Sequence, residues 1–227
     1  MVMNEDFTQK LRALEMQFLE LGMMVNVAVY RAVQGFTNHD KRLAAEVIAG
    51  DQQVNARQMQ LEQKCLELIA LGKPMASDLR QVVAAMKSSS DLERIGDHAV
   101  AIAKVTLRMP DTPRVFAIES QIGAMFAVVR QMQDGVLDAY VHVDAHGARR
   151  VAARDHRVNR DKTAIYRASL EWMLQNQDAV ELGPDYLQVA TYLERIADYA
   201  TNVCERIVYL QTGKVVELNS STDDDDF

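Results

Sequence analysis

The chain of 227 residues repeats itself, and this limits what it can fold into more than any other feature. Leu92-Glu93-Arg94-Ile95-Gly96-Asp97-His98-Ala99 is echoed 101 residues later by Leu193-Glu194-Arg195-Ile196-Ala197-Asp198-Tyr199-Ala200. Upstream, Asp51-Gln52-Gln53-Val54-Asn55 is echoed by Asp155-His156-Arg157-Val158-Asn159, at an offset of 104. A shortening of three residues between the two matched segments of the second copy reconciles the offsets. The breakers fall symmetrically about the repeat. They predict helices over Phe7–Gly35, from the Asp40 cap to Gly72-Lys73-Pro74, and over Ser77–Arg108 in the first copy. In the second copy they predict helices over Val115–Val141, from Asp144 to Gly183-Pro184, and over Asp185–Gly213. Pro110 and Pro113 separate the two sets.

This reading gives an all-α fold of six long helices in two pseudo-symmetric three-helix bundles. The first covers residues 1–111 and the second 112–215, with an acidic tail over 216–227. Three long helices joined by short loops pack most simply as an antiparallel bundle. Composition agrees, with only 10 Gly and 4 Pro against 48% hydrophobic residues. The net charge of −7 argues against nucleic acid, whose binders need a basic face to displace phosphate counterions. The N-terminus lacks the basic-then-apolar pattern of a signal peptide, and no run is long enough to cross a bilayer. Cys65 and Cys204 stand outside any CxxC or Cys/His spacing and read as reduced core residues. Asp223 to Asp226 read as a solvated tail.

The repeated segments carry the chemistry. Glu93 and Asp97 are an i, i+4 pair, as are Glu194 and Asp198, so each pair shares one helix face. Like charges at this spacing repel by a few tenths of a kcal/mol, roughly, in an isolated helix. Their recurrence in both copies suggests something positive against them. On the sixth helix Leu193, Ile196, Ala200, Val203, Ile207 and Leu210 form the core stripe. Glu194, Asp198 and Glu205, with Asn202 beside them, lie apart from it. Asp51 with Asn55 and Asp155 with Asn159 form further oxygen-bearing pairs on the second and fifth helices. Tyr166 stands where the first copy has Glu62. Clustered carboxylates must be protonated, paired with Arg or Lys, or bound to a cation, and oxygen-rich clusters suit Mg, Mn, Ca or iron. Ion pairing with Arg94, Arg195 and Arg206 is the plainer alternative. His142 and His146 straddle a predicted break and read as exposed loop residues. His98 reads as a flanking residue of its motif.

At these residues the chain resembles the PhoU family of phosphate-signalling proteins, whose repeated E(D)xxxD signature stands here as Glu93 to Asp97 and Glu194 to Asp198. The resemblance runs from about Phe7 to Gly213. It implies two similar three-helix bundles and metal ions on the motif-bearing faces, iron or Mg/Mn/Zn. The implied site residues are Glu93, Asp97, Glu194 and Asp198, with Asp51, Asp155, Asn202 and Glu205. It further implies a non-enzymatic homodimer in the bacterial cytoplasm, at the inner face of the membrane and held there only through partners. Those partners would be the phosphate ABC transporter and a phosphate-sensing histidine kinase, whose action the protein would restrain. Three positions depart from the family pattern. Ala101 and Lys104 stand where Asn and Glu are usual after the first motif, so the first site is expected to bind fewer ions or bind more weakly. Tyr199 replaces a usual His. Two other readings are a carboxylate-bridged di-iron enzyme or iron store, which lacks its Glu-x-x-His motifs here, and a metal-free helical adaptor.

Overall fold

The computed structural model describes residues 2–110, 114–176 and 182–219, with side chains from residue 7 onward. The helices are α1 (Val2–Thr37), α2 (Lys41–Gly72), α3 (Ala76–Arg108), α4 (Phe116–His142), α5 (Ala145–Ala152), α6 (Asp155–Gln175) and α7 (Gly183–Thr212). Six are long, and no strand occurs among the described residues. Asp40 caps α2, its carboxylate accepting from Leu43 N–H at 2.9 Å. Lys73 ends α2 in the left-handed region at φ 46°, just ahead of Pro74. Val143 ends α4 in the same way at φ 48°.

Two boundaries correct the sequence reading. The fifth predicted helix is broken at Ala153–Arg154 into α5 and α6. There Arg154 N–H bonds Val151 O at 3.0 Å and Arg157 N–H bonds Arg154 O at 2.9 Å, the i−3 pattern of a tightened turn. Gly183-Pro184 opens α7 instead of closing the helix before it. Proline fits the first turn of a helix, where its missing N–H would have had no intrahelical partner. Residues 111–113 of the double-proline break and the Asp223 to Asp226 tail lie outside the described residues.

In the first unit α1, α2 and α3 all pack against one another; in the second, α7 packs on α4, α5 and α6. The units join through α1 on α4 and α3 on α7, so each shared contact sets a helix against its own counterpart. A two-fold axis between the units would produce contacts of this kind. Both contacts run antiparallel. Phe18 stacks on Tyr140 with ring centroids 4.0 Å apart, while Tyr30 meets Phe126 further along. On the other pair, Asn202 Nδ2 donates to Asp91 at 3.3 Å and Arg108 Nε to Asp185 at 2.9 Å. His98 of α3 lies between Tyr192 and Tyr199 of α7, both centroids 5.7 Å away. One apolar core runs through both units, from Leu14, Phe18 and Leu21 to Leu193, Ile196 and Ile207. Cys65 and Cys204 are free thiols within it, each pushed up to about 12, chiefly by burial. At that value they stay protonated and unreactive.

Candidate metal-binding faces

The first acidic face lies where α2 meets α3. Asn55 Nδ2 donates to Asp51 at 2.9 Å and so holds that carboxylate along α2. Across the groove, Glu93 is raised above the ordinary carboxylate range, first by burial, then by the negative charges of Asp97 and Asp51. Packing of α2 on α3 thus brings Asp51 toward Glu93. Arg94 sits over both motif carboxylates, 3.4 Å from Asp97 and 3.8 Å from Glu93. The buried Oδ1 of Asn55 accepts no hydrogen bond.

The second face, where α6 meets α7, is built alike but sits deeper. The tightened turn at Ala153–Arg154 places Asp155 on the first residue of α6, only 6% exposed. Asn159 Nδ2 donates to its Oδ2 at 2.9 Å, and its Oδ1 is buried without a partner. Burial raises Asp155, and the Glu194 charge adds to the rise. Asp198 is pushed up to about 6, by burial first and then by Asp155 and Glu194. Arg195 lies 3.2 Å from Asp198, repeating the Arg94–Asp97 contact. Lys162 Nζ donates to Glu194 at 2.7 Å, a contact that the sequence analysis did not foresee. Lys162 falls seven residues after Asp155, on the same helix face, so its spacing would have revealed it. Its counterpart in the first unit is Gln58, which bonds Glu62.

Asn202 and Glu205 are diverted from the second face. The Asn202 amide is spent on Asp91 of α3. Asp91 is itself raised, mainly by burial. Glu205 accepts from Leu218 N–H at 2.9 Å, where the chain folds back beyond α7. His98 is lowered by burial against its two tyrosines. His142 and His146 lie on the last turn of α4 and the first of α5, not on a loop, and His142 bonds Asp138 O at 2.9 Å.

The donor chemistry fits a hard divalent cation. Each face offers carboxylate and amide oxygens, and each holds a buried oxygen with no hydrogen-bond partner. The side chains stand as neighbouring pairs, since no three His, Cys, Asp or Glu groups converge on one point among the described residues. Arg94, Lys162 and Arg195 occupy the positive side of the balance instead.

Fold and faces together define a class: a duplicated three-helix protein bearing an acidic motif face on each repeat. The family model described as "PhoU domain" matches residues 18–106 and again 122–207, one match in each repeat. The chain belongs to the PhoU family. It is 35% identical over 217 residues to the phosphate-specific transport system accessory protein PhoU homolog of Streptococcus pneumoniae, covering 96% of this chain and all of that protein. The Caulobacter vibrioides homolog is also 35% identical, over 216 residues, covering 95% of this chain and 93% of that protein. The crystal structure of the phosphate transport system regulatory protein PhoU from S. pneumoniae superposes with a TM-score of 0.88 at 35% identity, covering 93% of this chain and 100% of that one. PhoU from Pseudomonas aeruginosa superposes with a TM-score of 0.85 at 31% identity, covering 92% and 100%.

Proposed function

We propose that this protein is a non-enzymatic, cation-binding regulator of phosphate transport. It restrains uptake by the phosphate ABC transporter and signalling by the associated histidine kinase, and it acts as a homodimer at the cytoplasmic face of the membrane. Relatives over nearly its whole length are named as accessory proteins of phosphate-specific transport, which supports the transport role. The observation that carries the cation-binding part is the second acidic face. There Asp198 is pushed up to about 6, by burial first and then by the charges of Asp155 and Glu194. A bound divalent cation would neutralise that crowding and tie α6 to α7. Asp155, Glu194 and Asp198, which stand as neighbouring pairs, would have to close on it on the second face, and Asp51, Glu93 and Asp97 on the first. Asn159 and Asn55 orient the aspartates from one turn along. Because α7 also packs against α3, stiffening α6 on α7 reaches the seam between the units. A partner that grips both units would sense it.

The test is the metal content of protein purified without chelator, read by elemental mass spectrometry. Near-stoichiometric metal in the wild type, lost in Glu194→Ala/Asp198→Ala, supports the reading. In cells, the wild type and not that variant should restore restraint of phosphate uptake to a strain lacking the gene. The metal-free adaptor is a second reading, favoured by the pairing of Lys162, Arg94 and Arg195 with the same carboxylates. It predicts no bound metal after cation loading, and partner binding that weakens with salt.

A further inference from the structure

The second repeat carries a feature that the first lacks and that neither the duplicated fold nor the acidic faces require. Although the chain has a net charge of −7, the stretch from Ala145 to Arg167 is strongly basic. Its only acids are Asp155, which is buried, and Asp161, which is held by Arg157 at 2.8 Å. Arg149, Arg154, Arg160 and Arg167 are all exposed. None of these four guanidinium groups makes a hydrogen bond or ion pair with any described residue. Their counterparts 104 residues earlier are Ala45, Gly50, Ala56 and Gln63, so no charge stands at the same places in the first repeat.

The same outer side of α6 is also apolar toward its C-terminal end. Thr163, Arg167, Leu170 and Leu174 follow one another at i, i+4, i+7 and i+11, with Tyr166 alongside, and so share a face. Leu174 is 86% exposed, Tyr166 49% and Leu170 40%. α6 packs on α7 and α4, which leaves this face without a neighbour. At its basic end Asn159, Arg160, Thr163, Ala164 and Arg167 line a shallow depression of about 390 Å³. Two guanidinium groups seven residues apart on one helix face suit a phosphodiester group.

We propose that the outer face of α6 docks directly on an anionic lipid bilayer. Arg160 and Arg167 engage headgroup phosphates, and Tyr166, Leu170 and Leu174 enter the interface beside them. A basic helix with an adjoining apolar ridge is the pattern of membrane-surface helices. Nucleic acid would reward the arginines but not two exposed leucines in line with them. The net negative charge of the rest of the chain helps orient the molecule, turning this basic face toward an anionic surface. Attachment through partners alone, the expectation from the family resemblance, does not explain why two unpaired arginines, Arg160 and Arg167, share the outer face of α6 with an apolar ridge.

The test is co-sedimentation of the full chain with vesicles, in chelator so that no cation can bridge protein to lipid. Vesicles of phosphatidylglycerol mixed with phosphatidylcholine are compared with phosphatidylcholine alone. The wild type should bind the anionic vesicles only, and binding should fall with added salt. Arg160→Gln/Arg167→Gln should weaken it about 25-fold, roughly fivefold for each arginine. Leu170→Gln/Leu174→Gln should weaken it also, with unchanged helical content and melting in both variants because all four side chains are exposed. Absence of binding to anionic vesicles, equal binding to neutral ones, or binding indifferent to both variants would overturn the proposal. Binding to duplex DNA that exceeds vesicle binding and survives the leucine changes would overturn it too, assigning the face to nucleic acid.

Discussion

The two acidic faces are made from the same residue types at the same spacing, yet they differ in depth. On the first, Asp51 sits partway along an unbroken α2, partly open to water. On the second, the chain tightens at Ala153–Arg154 and delivers Asp155 into the protein at the start of α6. The deeper face pays in electrostatics: Asp155 and Asp198 are both raised, and Lys162 is drawn onto Glu194. The first face has no equivalent lysine and relies on the exposed Arg94. A motif thus defines which oxygens share a face, while one local turn determines how deeply they are buried.

Cation loading should separate the faces most strongly. At a hundredfold excess over its Kd, a divalent cation adds about 2.7 kcal/mol of stability. That is a rise in Tm of roughly 5–10 °C for a domain of this size. Asp155→Asn/Asp198→Asn should abolish most of the rise, and Asp51→Asn/Asp97→Asn only a minor part. Calorimetric melting with and without cation measures both, and equal losses would erase the distinction between the faces. A smaller effect is expected from Lys162→Ala, which leaves Glu194 facing two other carboxylates. In chelator it should cost about 1–2 kcal/mol, between the values for exposed and buried pairs. Gln58→Ala at the matching place should cost under about 0.5 kcal/mol. Urea titration of the two variants compares them.

The acid dependence sharpens the same contrast. Asp198 binds its proton more tightly in the folded than in the unfolded chain. Its contribution is therefore present at low pH and is lost as pH rises through about 6. Asp155, Glu93 and Asp91 act in the same direction. His98 opposes them, because its lowered value makes the fold less stable as pH falls below the ordinary histidine range. In chelator, Tm should rise as pH is lowered from neutral toward about 5.5, and Asp198→Asn should flatten much of that rise. The side chain of Asp198 is 38% exposed, so after solvent screening the difference should be about 1 kcal/mol. A Tm that falls steadily below pH 7 in chelator would contradict the crowding of the second face. The smallest effect is expected at the motif arginines. Arg94→Gln and Arg195→Gln alter side chains 60% and 58% exposed, and each should change stability by under about 0.5 kcal/mol.

Much of this arrangement is legible in the chain itself. The repeat locates both carboxylate sets, and helical spacing puts Glu93 with Asp97 and Glu194 with Asp198. The turn before Asp155 is not legible, because Ala153 and Arg154 both favour helix and no Gly or Pro marks it. Asn202 and Glu205 follow Asp198 along one stripe of α7, so spacing assigns them to the second face. They are drawn off by Asp91 of another helix and by Leu218 N–H beyond the helix end. Neither partner is visible from periodicity within α7. Gly183-Pro184 misleads for a related reason: the same dipeptide can end one helix or begin the next, and only the chain's path decides.

The central claim is that the second face is the tighter cation site. Anomalous diffraction from crystals soaked in limiting manganese tests it most directly. The first peak should appear between α6 and α7, beside Asp155, Glu194 and Asp198, with a peak by Asp51, Glu93 and Asp97 only at higher manganese. A first peak on the α2–α3 face, or none on either face at saturating manganese, would contradict it.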